Sequence, residues 1–150
     1  MKAVVQRVSH AEVKIEGAVH GRIDVGFLVL LGVGKNDSEH EADILASKIA
    51  GLRVFTDEND KMNLSLENIG GSVLVISNFT LYADCSHGKR PSFFEAARPE
   101  TAQPMYEYFC TKLMSLGVQK VERGVFGADM KVELLNDGPV TIILDTDVRS

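Results

Sequence analysis

Cysteine is scarce in this chain of 150 residues: only Cys85 and Cys110 occur, in no recognisable spacing. Two such thiols, in a chain whose first residues carry Lys2 and Arg7 but no apolar leader, read as reduced and unexported. CxxC and HxxxH spacings are missing, which speaks against a zinc site, and His10, His20, His40 and His87 stand scattered among polar neighbours. Long apolar runs are missing as well. The longest, Phe27 to Leu31, is strand-sized and far short of the ~20 residues a membrane span requires. Positive charge is not in excess: the net charge of −5 argues against coating nucleic acid, because that binding grows with the number of phosphates neutralised. A local patch such as Lys89-Arg90 would still suffice to grip one RNA end. There is no GxSxG elbow, and no histidine or lysine adjoins Thr80, so a conventionally activated nucleophile has no support.

What the chain does contain is an ordinary globular mixture, 45% hydrophobic and 25% charged. Its length suits one domain, residues 1–150, without repeats, low-complexity segments or linkers. Ala11, Val13 and Ile15 alternate with Glu12, Lys14 and Glu16, the period of a half-buried strand. Phe27 to Leu31 reads as a strand buried on both faces. Ser38 and Glu41 form a capping box ahead of a helix with Ala42, Leu45, Ile49 and Leu52 on one face. Arg53 to Phe55 suggests a short strand, and Thr56 to Asn63 turn chemistry. Gly70 to Ala83 holds a further buried strand. Thr101 is expected to open a second helix, with Pro104 in its first turn and Gly117 at its end. Met130 to Leu144 is expected to close the chain as a hairpin turning at Asn136-Asp137-Gly138. The expectation is an α+β fold of mostly antiparallel strands with about two packed helices.

Four stretches could carry chemistry, and each also has a plain structural reading. Ser77-Asn78-Phe79-Thr80 places polar groups at the end of an apolar strand, where scaffolds hold reactive groups but where strands also simply leave the core. His87 to Pro99 joins Lys89 and Arg90 to Phe93 and Phe94, a combination that suits stacked RNA bases or an ordinary loop. Arg123 to Val132 combines Gly124 and Gly127 with Phe126 and Met130, residues more often found in a core. Gly138-Pro139 is either an edge-strand proline or a bond kept cis for a purpose.

Together these stretches resemble one family, the D-aminoacyl-tRNA deacylases, also called D-tyrosyl-tRNA deacylases. The likeness runs through MKAVVQRV, LLGVGKND, KMNLS, SNFTLYAD, GKRPSF and FGADMKVELLNDGPVT, and its two signatures stand about sixty residues apart. The family's strand motif is Ser-Gln-Phe-Thr, so Asn78 departs from it by one methylene. The resemblance implies a barrel-like, homodimeric, cytoplasmic hydrolase with no metal or organic cofactor, whose active sites lie at the subunit interface. It implies ester hydrolysis on tRNA carrying a D-amino acid, and on tRNA(Ala) mischarged with glycine. It further implies that Gly138-Pro139 is cis and reaches into the partner's pocket to exclude L-residues, while the backbone at Phe79 and Thr80 stabilises the oxyanion. Ser77, Asn78 and Met130 are expected to hold the terminal adenosine, and Arg7 and Lys89-Arg90 to meet phosphates. Two rival readings fit the sequence: a non-catalytic dimeric module that binds tRNA ends, and a Thr80-dependent esterase of small D-amino-acid esters.

Overall fold

The computed structural model describes residues 1–148. In chain order its elements are β1 (Lys2–Ile15), β2 (Ala18–Ile23), β3 (Gly26–Gly32), α1 (Glu39–Gly51), β4 (Phe55–Thr56), β5 (Met62–Leu64), α2 (Leu66–Ile69), β6 (Ser72–Ser77), a 3₁₀ turn (Phe79–Tyr82), α3 (Pro99–Ser115), β7 (Val121–Arg123) and β8 (Lys131–Asp145). The fold is α+β. The main sheet runs β2-β1-β3-β6-β7, with β8 paired to β1. It curls until Gly21 of β2 faces the Arg123 carbonyl of β7, where an added Cβ would lie 3.0 Å from that oxygen. The result is a nearly closed, barrel-like sheet. Most of its pairings are antiparallel, as expected, but the sheet is mixed, because β6 lies parallel to both β3 and β7. Helices α1 and α3 form the crossovers that parallel neighbours require.

The unbroken apolar run of β3 follows from its position. Phe27, Val29 and Leu31 face a core shared with Leu45, Ile49, Tyr106, Phe109 and Leu113 of the helices. Leu28 faces a second core inside the curled sheet, with Val8, Val13, Ile23, Leu74 and Ile76. A strand covered on both sides has no reason to alternate.

Helix α1 begins at the expected residue. Ser38 accepts from the His40 amide, and the Glu41 carboxylate accepts from the Ser38 amide at 2.7 Å. Helix α3 begins at Pro99, two residues before the expected Thr101, because a proline at the first helical position carries no N–H to satisfy. Pro104 therefore sits inside the helix, and the bond it removes would have run to the carbonyl of the exposed Glu100. The turn expected over Thr56 to Asn63 is narrower, since Met62 and Asn63 pair back as β5 while Asp57 accepts from the Asn59 and Lys61 amides.

The main correction concerns β8. Residues 131–145 form one strand along β1, not a hairpin. Gln6 pairs with Thr141 and Val8 with Asn136, so Asp137, Gly138, Pro139 and Val140 stand opposite Arg7 alone. The Asn-Asp-Gly sequence makes a wide bulge, and Pro139 falls where no ladder bond is needed. The Gly138-Pro139 bond is cis.

Candidate functional site

Strands β3 and β6 are parallel, so both deliver their C-terminal ends to the same edge, where Leu31 pairs with Ser77. The Asn78 amide extends the ladder by donating to the Leu31 carbonyl at 2.8 Å. The chain then tightens into the 3₁₀ turn, which sits directly on Gly32 and Gly34. A Cβ on Gly34 would come within 2.7 Å of the Tyr82 hydroxyl, so only glycine admits the turn this closely. Asp37 secures the arrangement: its carboxylate accepts from the Gly34 amide at 2.6 Å and from the Met1 ammonium at 2.8 Å. Burial, and then the Asp37 charge, push the Tyr82 phenol well above its ordinary range, so it stays a neutral donor to Asp37.

A second segment builds the opposite wall. Residues 93–97 lie along the continuation of β3, with the Lys35 amide donating to Glu95 and the Ala97 amide to the Val33 carbonyl. This brings the Phe93 ring edge-on to Phe79, 5.0 Å between centroids. The first turn of α3 adds Arg98, Pro99 and Ala102, and the β7–β8 connection adds Phe126, Ala128 and Met130. Met130 reaches this position because Gly124 has no side chain; a Cβ there would run into the Met130 sulfur.

The half-open cavity between these walls measures about 540 Å³, within the range of small-ligand sites. Its lining is mostly apolar, with Ser77, Asn78 and Arg98 supplying the side-chain polarity. Arg98 is the only ionisable side chain in that lining. Thr80 follows Phe79 in the turn, and its hydroxyl donates to the Asn78 side-chain oxygen, an amide that cannot serve as a base. The Phe79 and Thr80 amides open the 3₁₀ turn, where the first N–H groups have no partner within the helix. Among the described residues no three His, Cys, Asp or Glu side chains gather as metal ligands, and no helix is long and apolar enough to cross a membrane.

Of the residues expected from sequence, Ser77, Asn78, Phe79 and Met130 meet at this cavity, with Thr80 beside them. Gly138, Pro139 and Arg7 form a separate group. The Arg7 guanidinium is spent on the bulge: Nε donates to the Asp137 carbonyl at 2.9 Å and Nη1 to the Val54 carbonyl at 2.6 Å. Asn136 clamps the base of the bulge, accepting from the Val140 amide at 2.8 Å. Gly138 has φ +140°, and a Cβ there would lie 2.8 Å from a Val140 methyl. Asp137, Gly138 and Pro139 are exposed. Pairing places Arg7 four positions along β1 from Ala3, which is level with Leu31 and hence with Ser77. At ~3.4 Å per residue and ~4.8 Å per strand, the bulge and the cavity of one chain are on the order of 20 Å apart. Sequence reasoning missed Arg98, Ala102 and Ala128 as cavity residues and favoured the core for Phe126. The Gly-rich spacing around Phe126 was the available signal.

A sequence model described as D-Tyr-tRNA(Tyr) deacylase matches residues 4–145. A protein of Koribacter versatilis named D-aminoacyl-tRNA deacylase is 60% identical over 146 residues, covering 97% of each chain. A solved structure named c-Myc DNA Unwinding Element Binding Protein superposes with a TM-score of 0.92 at 38% identity, over 97% of this chain and 99% of that one. Another, described as a probable eukaryotic D-amino acid tRNA deacylase, superposes at 0.80 with 14% identity, over 95% and 97%.

Proposed function

Because the chain belongs to the D-Tyr-tRNA(Tyr) deacylase family, we propose that it hydrolyses the ester joining a D-amino acid to the 3′-terminal ribose of tRNA, releasing free amino acid and tRNA. The observation that carries this reading is the cavity at the end of β6. It has the size of a small ligand, is mostly apolar, and has no carboxylate, imidazole or thiol in its lining. Such a site binds and orients a substrate, and leaves the chemistry to main-chain donors and to the substrate itself.

The terminal adenosine lies against Met130 and Phe126, with Ser77 and Asn78 offering hydrogen bonds. The ester carbonyl points its oxygen to the Phe79 and Thr80 amides, which stabilise the negative charge that develops as water attacks. The free 2′-hydroxyl of the same ribose positions that water and relays its proton to the departing 3′-oxygen. Thr80 takes no covalent part, since its hydroxyl is committed to Asn78. The shorter Asn78 keeps an amide at the position of the family's glutamine, with its NH₂ left for the ligand.

Chirality is sorted by the bulge of β8 acting from a second copy of the chain. In its own chain the bulge stands on the order of 20 Å from the cavity, too far to act there. Its exposed main chain, free of any side chain at Gly138, takes the substrate ammonium on carbonyl oxygens and leaves no room on the L face. A D-residue turns its side chain away, and glycine, including glycine mischarged on tRNA(Ala), has none to exclude. Exclusion by clash discriminates more sharply than a pocket contact worth ~1–3 kcal/mol. Arg7 braces this wedge. The reading implies a homodimer of single-domain subunits, working in the cytoplasm where charged tRNA is found, and a site with no need of a metal or cofactor.

The test is to incubate the protein with D-tyrosyl-, L-tyrosyl- and glycyl-tRNA and with a small D-tyrosine ester, and to measure released amino acid. D-tyrosine and glycine are released from tRNA while L-tyrosyl-tRNA survives. Release from the small ester at an equal rate, or binding of tRNA without release, contradicts the reading.

A further inference from the structure

Next to the cavity lies an aromatic and basic surface that the proposed chemistry leaves unused. Phe94 is 76% exposed, the most exposed of the large apolar side chains in the chain. It is nonetheless not loose. The Lys35 ammonium sits 3.8 Å from its ring centroid, and the Lys35 amide donates to the carbonyl of the following residue, Glu95. One ring face is therefore held by a cation while the side chain remains largely open to solvent. Phe93, the preceding residue, belongs to the cavity wall, and Arg98, four residues on, lines the same cavity while remaining 84% exposed. The nearby carboxylates are engaged only in surface pairs, Lys35 with Glu95 at 3.3 Å and Arg98 with Glu100 at 3.7 Å. Pairs of this kind contribute little and hold neither cation firmly. Lys89 and Arg90 lie on the exposed loop closed by the Asp84–Ser92 bridge, just before this segment.

In a chain with a net charge of −5, Phe94 is an exposed ring with Lys35 on one face, next in sequence to Phe93 of the cavity wall and four residues before Arg98 of the same lining. We infer that Phe94, backed by Lys35, is the stacking platform for the nucleotide that precedes the terminal adenosine of the tRNA acceptor strand. The inference rests on the cavity holding that adenosine. A strand whose last base enters the cavity past Phe93 brings the next base to Phe94, and the linking phosphate to the guanidinium of Arg98. Aromatic stacking tolerates any base, so the platform supplies affinity for single-stranded ends without reading sequence.

The experiment compares wild type with Phe94→Leu, which keeps an apolar side chain and loses the ring. Substrates are D-tyrosyl-tRNA, D-tyrosyl-cytidylyl-adenosine and D-tyrosyl-adenosine. Phe94→Leu raises KM about tenfold for the first two and leaves it unchanged for D-tyrosyl-adenosine, which lacks the preceding base. An equal rise with all three, or none with tRNA, overturns the platform. A shift in sedimentation from dimer to monomer in Phe94→Leu also overturns it and assigns the ring to a subunit contact. If wild type releases no tyrosine from any substrate, the deacylase reading fails. Calorimetry with uncharged cytidylyl-adenosine and adenosine then still decides the platform. It requires tighter binding of the dinucleotide that Phe94→Leu abolishes, and equal affinities in wild type refute it.

Discussion

Asn78 and Thr80 form the smallest unit on which the account can fail. The Thr80 hydroxyl donates a hydrogen bond to the Asn78 amide oxygen, which fixes that amide with its NH₂ turned to a ligand. Thr80→Val removes this tie without changing the side chain's shape. It lowers kcat by no more than about threefold, while KM rises by up to about tenfold as one hydrogen bond's orientation is lost. A fall in kcat beyond about a hundredfold on D-tyrosyl-tRNA makes Thr80 the nucleophile instead. The two cysteines offer a simpler contrast. Cys110 is fully buried against α3's neighbours and burial pushes its thiol up to about 11, whereas Cys85 is exposed. Iodoacetamide at neutral pH therefore labels Cys85 alone in the folded protein, as peptide mass spectrometry will read. The same burial sets a pH dependence. The folded thiol holds its proton where the unfolded one, with an ordinary value of 9.0, gives it up. This contribution is whole below about pH 9 and is lost as pH rises through about 11, so urea denaturation of Cys110→Ala shows a shallower alkaline decline than wild type.

At the level of elements, β8 shows where sequence and structure part. Asn136-Asp137-Gly138 has the chemistry of a two-residue hairpin turn, and local pattern alone cannot distinguish a chain that reverses from one that bulges and continues. The decision is tertiary: β1 is long enough, at 14 residues, to pair with both arms of the apparent hairpin. What the sequence did carry was local. The capping box at Ser38 and the two-sided burial of β3 were legible because their causes lie within a few residues. The start of α3 was misplaced because Thr101 is as good a cap by type as Arg98-Pro99 is by position. Ser77 to Thr80 and Met130 were legible through the family resemblance. Arg98 and Ala102 were not, because they reach the cavity only through the packing of α3's first turn. The bulge also yields a prediction of its own. Arg7→Met removes the donors to the Asp137 and Val54 carbonyls. Unfolding free energy falls by about 1–3 kcal/mol, as for a partly buried carbonyl left unpaired. The loosened wedge lets L-tyrosyl-tRNA hydrolysis rise by about tenfold or more while D-tyrosyl-tRNA hydrolysis changes little. Unchanged discrimination with the same loss of stability detaches Arg7 from selectivity.

At the scale of the whole molecule, the cavity where β3 and β6 end and the bulge of β8 stand at opposite reaches of one curled sheet. In the proposed function neither part alone sorts chirality. The account requires that one chain's wedge enter another chain's cavity, and a subunit-mixing experiment examines this most directly. One partner carries Ala102→Trp, which fills its cavity, and the other carries Gly138→Val, which puts a side chain where the backbone has φ +140° and no space. The Ala102→Trp homodimer releases nothing and the Gly138→Val homodimer has lost its preference for D-tyrosyl-tRNA. Mixed dimers, purified through two different tags, recover wild-type preference for D- over L-tyrosyl-tRNA at their single intact cavity. Mixed dimers that discriminate no better than the Gly138→Val homodimer contradict the account, because the wedge would then serve only the cavity of its own chain.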